Sequence, residues 1–187
     1  MSAIGFRAKT GRAIVVAISD DLDFLLRREV SLVDPALPDT AEPYHAVMTL
    51  PWPEAEVAVQ PLAAAIEEVA TRVVAALLAE VRDVRAIGVV GAPTKDLARI
   101  GNEHIRAHGA EGVLFRRVLE VAAERNGVAC RGFSEKELGP ANDAIKALGK
   151  KAGPPWRADE RAAATAAWLA LSSFSPPRGE KVSRSGG

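Results

Sequence analysis

His104, His108 and Glu111 stand four and three residues apart, a spacing that brings all three onto one face of a helix. Two imidazoles and a carboxylate are donors that zinc, manganese or iron would take, and His45 is the only other histidine able to complete the shell. The match to a known metal helix is incomplete. No glutamate follows His104, as a metalloprotease helix requires, and Gly109 and Gly112 also suit close helix packing. Partly exposed, hydrogen-bonded histidines fit the same spacing without any ion.

A second grouping, Arg7, Lys9, Thr10, Gly11 and Arg12, surrounds a single turn, where backbone N–H groups and cationic side chains could cradle a phosphate. A solvated hairpin turn accounts for the same residues, since the full phosphate-loop spacing is absent. Asp96, Asp159 and Glu160 lie near the ends of elements and form a conceivable acidic set, although acids at helix starts also cap and offset the macrodipole. Further cations, Arg99, Arg106, Arg116 and Arg117, then Lys146, Lys150 and Lys151, read as solvated faces. Three Trp, one Tyr and five Phe with little basic interleaving argue against a surface for stacking single-stranded bases. Branched or duplex nucleic acid would have to be held by its phosphates. No Ser, His, Asp triad can be assigned from spacing alone.

These side chains need a scaffold, and the apolar pattern supplies one. Ala3 to Arg7 and Ala13 to Ile18 predict two strands joined by a glycine turn, and Phe24 to Val33 predicts a third. Prolines 35, 38 and 43 mark a loop, after which Tyr44 to Leu50 predicts a short edge strand ended by Pro51 and Pro53. From Pro61, Leu62, Ile66, Val69, Val73, Leu77 and Val81 recur at helical spacing. Val84 to Val90 reads as a buried parallel strand whose carboxyl end at Gly91 is a candidate site. A second long helix starts near Asn102, carries Leu114, Val118 and Val121, and stops at Asn126 and Gly127. Val128 to Phe133 predicts another strand, and Ser134 with Glu137 has capping-box spacing. A mobile polar connection is expected through Gly149, Lys150, Lys151, Gly153, Pro154 and Pro155, then an alanine-rich helix from Asp159 to Leu171.

The 187 residues suffice for one core, expected to span residues 1–174, with residues 175–187 expected as a disordered tail. Lysines plus arginines equal the acids at 24 each, so any polyanion site has to be local. The lone Cys130 cannot form an internal disulfide and reads as a buried, inert thiol. The apolar run Ala13 to Ile18 is too short for a secretory leader and meets Ser19, Asp20 and Asp21. No stretch approaches the ~20 apolar residues of a membrane span. A cytoplasmic protein without a membrane partner is expected.

The order of elements resembles the ribonuclease H-like superfamily, and several short stretches resemble its RuvC-type Holliday-junction resolvases. Ile4, Gly5, Phe6 and Arg7, followed by Gly11 and the strand to Ile18, resemble an opening in which Gly-x-Asp precedes a glycine turn. Ile105 to Val118 resembles the helix after their fourth strand, Ser134, Glu135 and Lys136 a Ser-Glu-Lys after their fifth, and Ala162 to Leu171 their last helix. The resemblance implies an α/β fold with a mixed five-stranded sheet, three strands antiparallel and two more parallel, flanked by helices. It also implies two catalytic cations held by carboxylates. Here this chain departs from the pattern. Arg7 stands where the first strand should present Asp, Val89, Val90 or Gly91 where the fourth should present an acid, and Ala162 and Thr165 in the last helix.

A pseudo-nuclease is therefore expected, binding structured nucleic acid or a nucleotide through Arg7, Lys9, Thr10, Gly11 and Arg12, with no cofactor expected beyond a possible divalent metal. The rival reading is a divalent-metal nuclease or hydrolase using His104, His108 and Glu111, with His45 or Asp96 assisting. A third is a structural interaction module, such as a homodimer.

Overall fold

The computed structural model describes residues 1–93, 96–140 and 143–174. Strands β1 (Ser2–Lys9) and β2 (Arg12–Ser19) form the expected hairpin, in register from Ser2 opposite Ser19 to Lys9 opposite Arg12. The turn closes at Gly11, whose φ of 71° lies in the region that favours glycine. Strand β3 (Phe24–Ser31) adds antiparallel to β2.

The chain then runs through a 3-10 turn at Pro38–Ala41 and two short helices, α1 (Pro43–Ala46) and α2 (Trp52–Ala58), into the long helix α3 (Gln60–Glu80). Strand β4 (Val84–Val90) enters parallel to β1. Helix α4 (Glu103–Arg125) and strand β5 (Ala129–Phe133), parallel to β4, complete a sheet of order β3-β2-β1-β4-β5. Two shorter helices, α5 (Glu135–Leu138) and α6 (Asp143–Ala152), lead to α7 (Ala158–Phe174). This is the mixed five-stranded sheet flanked by helices expected from the sequence.

Strand alternation divides the core into two layers. Ile4, Phe6 and Ala8 of β1, with Ile87 and Val89 of β4, pack against Ile66, Val74 and Leu77 of α3 and Phe115 and Leu119 of α4. The opposite face carries small residues. Ala3 packs with Ala163, Ala164 and Ala167 of α7, and Ala86 and Val90 pack with Ala166 and Ala170. The helix lies so close that a Cβ on Gly5 would overlap the Ala163 carbonyl and one on Gly88 the Ala166 carbonyl. Arg7, two residues beyond Gly5, belongs to this same α7 face by the strand period.

Helix α4 has the boundaries its sequence suggests. The Asn102 side chain accepts from the Ile105 N–H at 2.9 Å, and Gly127 ends the helix at φ 70°. Its buried stripe runs through Phe115, Val118, Leu119 and Ala122, while Leu114 and Val121 flank it, only half-buried.

Two expectations fail. Tyr44 to Leu50 is not an edge strand. Pro43 starts the single turn of α1, Tyr44 stacks on Trp52 at 5.6 Å, and His45 bonds to Glu111 on α4, so side-chain contacts across the connection override strand propensity. The connection expected to be loose through Gly149, Lys150 and Lys151 is the second half of α6. Ile145 and Leu148, three residues apart and buried against α7, supply its apolar side. The tail expected at residues 175–187 lies outside the described residues.

Cys130 lies half-buried on β5, beside Ile87 of β4. Burial, reinforced by Glu120 and Glu124, pushes its thiol up to about 12. The thiolate is the nucleophile, so this burial keeps the sulfur almost wholly in its unreactive protonated form near neutral pH. Iodoacetamide is expected to modify Cys130 very slowly in the folded protein and rapidly in urea; equal rates in both would contradict the burial.

Candidate functional site

The hairpin lies directly beside β4, with Arg7 opposite Val90, so the Arg7 side chain emerges at the carboxyl ends of two parallel-paired strands. A cleft of about 630 Å³ opens there, lined among others by Arg7, Lys9, Thr10, Gly91, Glu135 and Lys136. The Arg7 side chain is 14% exposed and makes two ion pairs, one with Glu135 at the start of α5 and one with Asp159 Oδ1 at 3.4 Å. Lys9 Nζ reaches the same Asp159 oxygen at 2.9 Å. One carboxylate thus serves two cations.

That sharing fixes the protonation of Asp159. Partial burial pushes its carboxyl up, but the Lys9 ammonium and the Arg7 guanidinium outweigh it and hold the group below its usual range. Nearby, the Glu137 carboxylate accepts the Ser134 N–H at 2.6 Å, completing the capping box that fixes α5 and with it Glu135. Accepting that backbone bond also lowers the Glu137 carboxyl from its usual value.

Two further clefts adjoin it. It shares Arg7 and Glu135 with a second cleft of about 340 Å³, where Arg161, Ala162 and Thr165 of α7 join the wall. Asp159 links that one to a third, also about 340 Å³, walled by Arg12, Arg27, Arg28 and Arg157 with Glu29 and Glu160. Among the described residues, eight lysines and arginines and four carboxylates line these three adjoining clefts, although the whole chain is neutral. Several cations are already engaged. Arg12 pairs with Glu29 at 3.5 Å, Arg28 with Glu80 at 2.6 Å, and Arg27 donates to the Gly153 carbonyl at 2.8 Å. Among the described residues no carboxylate pairs with Lys136, Arg157 or Arg161.

The groups suggested by the sequence are thus only partly assembled. Arg7, Lys9 and Thr10 line one cleft; Gly11 instead turns toward Ala41, and Arg12 belongs to the third cleft, one strand further from β4. Of the three acids Asp96, Asp159 and Glu160, only Asp159 meets Arg7. Asp96 pairs with Arg99 at 3.5 Å, and Glu160 accepts the Arg157 N–H at 2.8 Å as a helix cap. Val89 and Val90 are core residues, Ala162 and Thr165 line the second cleft, and the Thr165 hydroxyl donates to the Arg161 carbonyl at 2.8 Å. Sequence reasoning gave Glu135 and Lys136 no role in the site and passed over Arg161. Their signal was positional: Glu135 and Lys136 follow the carboxyl end of β5, and Arg161 sits in the first turns of α7.

The other cations form no stripe. Arg116 and Arg117 pair with Glu120 on their own helix, Arg106 caps the Ile100 carbonyl while lying over Trp52, and Lys146 and Lys151 pair with Asp143 and Asp23.

A separate cluster forms at the first turns of α4. His45, His104 and His108 converge, with one ligand atom from each within 4.8 Å of the others. Glu111, expected among the ligands, instead turns its carboxylate to His45: Oε1 lies 2.8 Å from Nδ1 and accepts the His45 N–H at 3.2 Å.

No protein-family model and no curated protein matches the sequence. Among solved structures, the chain is similar to RuvC from T. thermophilus in complex with a Holliday junction substrate, with a TM-score of 0.52 at 11% identity over 90% of each chain. A second Thermus thermophilus RuvC structure scores 0.48 at the same identity, covering 90% of this chain and 92% of that one. At this level of identity the likeness concerns architecture alone: the chain has the ribonuclease H-like fold in its RuvC-like form.

Proposed function

We propose that residues 1–174 form one RuvC-like domain that binds a phosphate-bearing partner, structured nucleic acid foremost, without cleaving it. The observation that carries this reading is the pair of adjoining clefts at the carboxyl ends of β1 and β4, where Arg7, Lys9, Lys136 and Arg161 face only Glu135 and Asp159 on a neutral chain. Phosphates are held by such side chains, and an arginine supplies the positive charge that a metal would otherwise bring to an anion. The similar RuvC structure holding a Holliday junction makes branched DNA the first ligand to try. Cleavage is not part of the reading, because Glu135 and Asp159, the carboxylates flanking Arg7, are occupied by Arg7 and Lys9. A two-metal reaction needs several carboxylates free to bind cations.

The test is fluorescence anisotropy with labelled four-way and duplex DNA across a salt series. Affinity is expected to fall linearly in log Kd against log salt, as counterion release requires. Asp159→Asn removes the acid that competes with phosphate for Lys9 and Arg7, so it is expected to tighten binding about three- to tenfold and to steepen the salt dependence. No binding at low salt, or binding indifferent to salt, would sink the reading. Magnesium-dependent cutting of either DNA would reject the non-catalytic part of it alone.

A further inference from the structure

The histidine cluster lies outside these clefts and goes beyond the proposed function. We infer that His45, His104 and His108 bind one divalent transition-metal ion, with Glu111 as the buried acceptor that orients His45.

Three observations converge. The Nε2 atoms of His104 and His108, one helical turn apart, face each other at 3.1 Å. Two nitrogens each 2.0–2.1 Å from one tetrahedral ion stand about 3.3 Å apart, so this gap is already nearly that of a shared metal. His45 approaches from α1, its ring centroid 5.0 Å from that of His104 and 4.5 Å from that of His108. Its Nδ1 is taken up by Glu111, which leaves Nε2, and that atom is buried with no hydrogen-bond partner.

A hydrogen bond between His104 and His108 would account for one pair of nitrogens but would leave His45 Nε2 orphaned inside the protein, at a cost. A metal uses all three. Glu111 fits the same scheme: its side chain is fully buried, at 0% exposure, one of its oxygens has no partner, and its other oxygen holds the Nδ1 of a ligand histidine. Metal-bound histidines characteristically donate their second nitrogen to a carboxylate, which fixes the tautomer and raises ligand basicity. A nearby dication also balances a carboxylate that is otherwise buried without a full charge partner.

The donor set defines the ion. Three imidazoles suit zinc, copper, nickel or iron and disfavour magnesium and calcium, which take oxygen. His104 and His108 are exposed, so the fourth position opens to solvent and admits a water. His45 lies on α1 and the other two ligands on α4, so the ion would fasten the connection between β3 and α3 onto α4.

Zinc alone is the probe, applied to the untagged full chain purified without chelator. Elemental analysis after dialysis against zinc and titration calorimetry are expected to give one ion per chain with a Kd of about 1 μM or tighter. Cobalt(II) should develop the visible bands of a tetrahedral nitrogen site. His108→Ala and His104→Ala, both at exposed positions, should retain the circular dichroism spectrum and lose at least about 100-fold in affinity, whereas Glu111→Gln should weaken binding about 10- to 100-fold. At a hundredfold excess over Kd, zinc should raise Tm by roughly 5–10 °C in the parent chain and not in His108→Ala. Substoichiometric zinc with a Kd weaker than about 100 μM, or equal binding by the parent and His108→Ala, would overturn the site. Neither result depends on DNA binding, so this inference and the proposed function can fail separately.

Discussion

Gly88→Ala is expected to cost about 3 kcal/mol of unfolding free energy, read as a lower urea midpoint at unchanged slope. The added methyl would run into the Ala166 carbonyl, which is helix backbone and cannot rotate aside as a side chain can. Nor can α7 simply step back. The same helix is seated on Gly5 of β1 through Ala163, and its alanines fill the face between Ala3, Ala86 and Val90, so retreat opens voids along the whole contact. Gly101→Ala is the control, since nothing lies within 4 Å of its new methyl and its φ is unstrained; its change should stay within about 0.5 kcal/mol. Equal stability of the two variants would mean that α7 does not lie against β4 in this way, and the clefts formed at its first turns would lose their basis.

That helix also shows how far the sequence could be read. The strand Val84 to Val90 was legible because it is a short, almost wholly apolar run ended by Gly91, Ala92 and Pro93, and α4 because Asn102 and Gly127 mark both its ends. The gathering of Arg7 and Lys9 was legible because both stand beside the glycine turn of the first hairpin. What stayed hidden depended on partners distant in sequence. Tyr44 to Leu50 has a strand-like composition, but the bond from His45 to Glu111 and the stack of Tyr44 on Trp52 hold it as one helical turn followed by turns. Helix α6 was obscured by its lysines and glycine, which outweighed the short signal of Ile145 and Leu148. The histidines follow the same logic. Spacing on α4 found His104, His108 and Glu111, but a linear spacing cannot show that Glu111 turns away from the two histidines to bond His45, which arrives from another element.

Arg7→Ala combined with Lys9→Ala is expected to weaken DNA binding about 100-fold at low salt and to flatten the salt dependence by nearly two phosphate contacts. The loss exceeds that of two removed attractions because the same change exposes two repulsions: Asp159 and Glu135 currently face these cations, and without them they stand as bare carboxylates in the cleft. Stability should fall only by about 1–2 kcal/mol: Glu135 and Asp159 reach solvent, so their ion pairs contribute little, while the mostly covered Arg7 side chain loses some packing. A Tm within several degrees of the parent then assigns the lost affinity to the clefts and not to unfolding. Lys146→Ala, on α6 and paired with Asp143, removes one positive charge from outside the clefts and should leave affinity within about twofold. If the double variant binds as tightly as Lys146→Ala, the carboxyl ends of β1 and β4 are not where the phosphate is held.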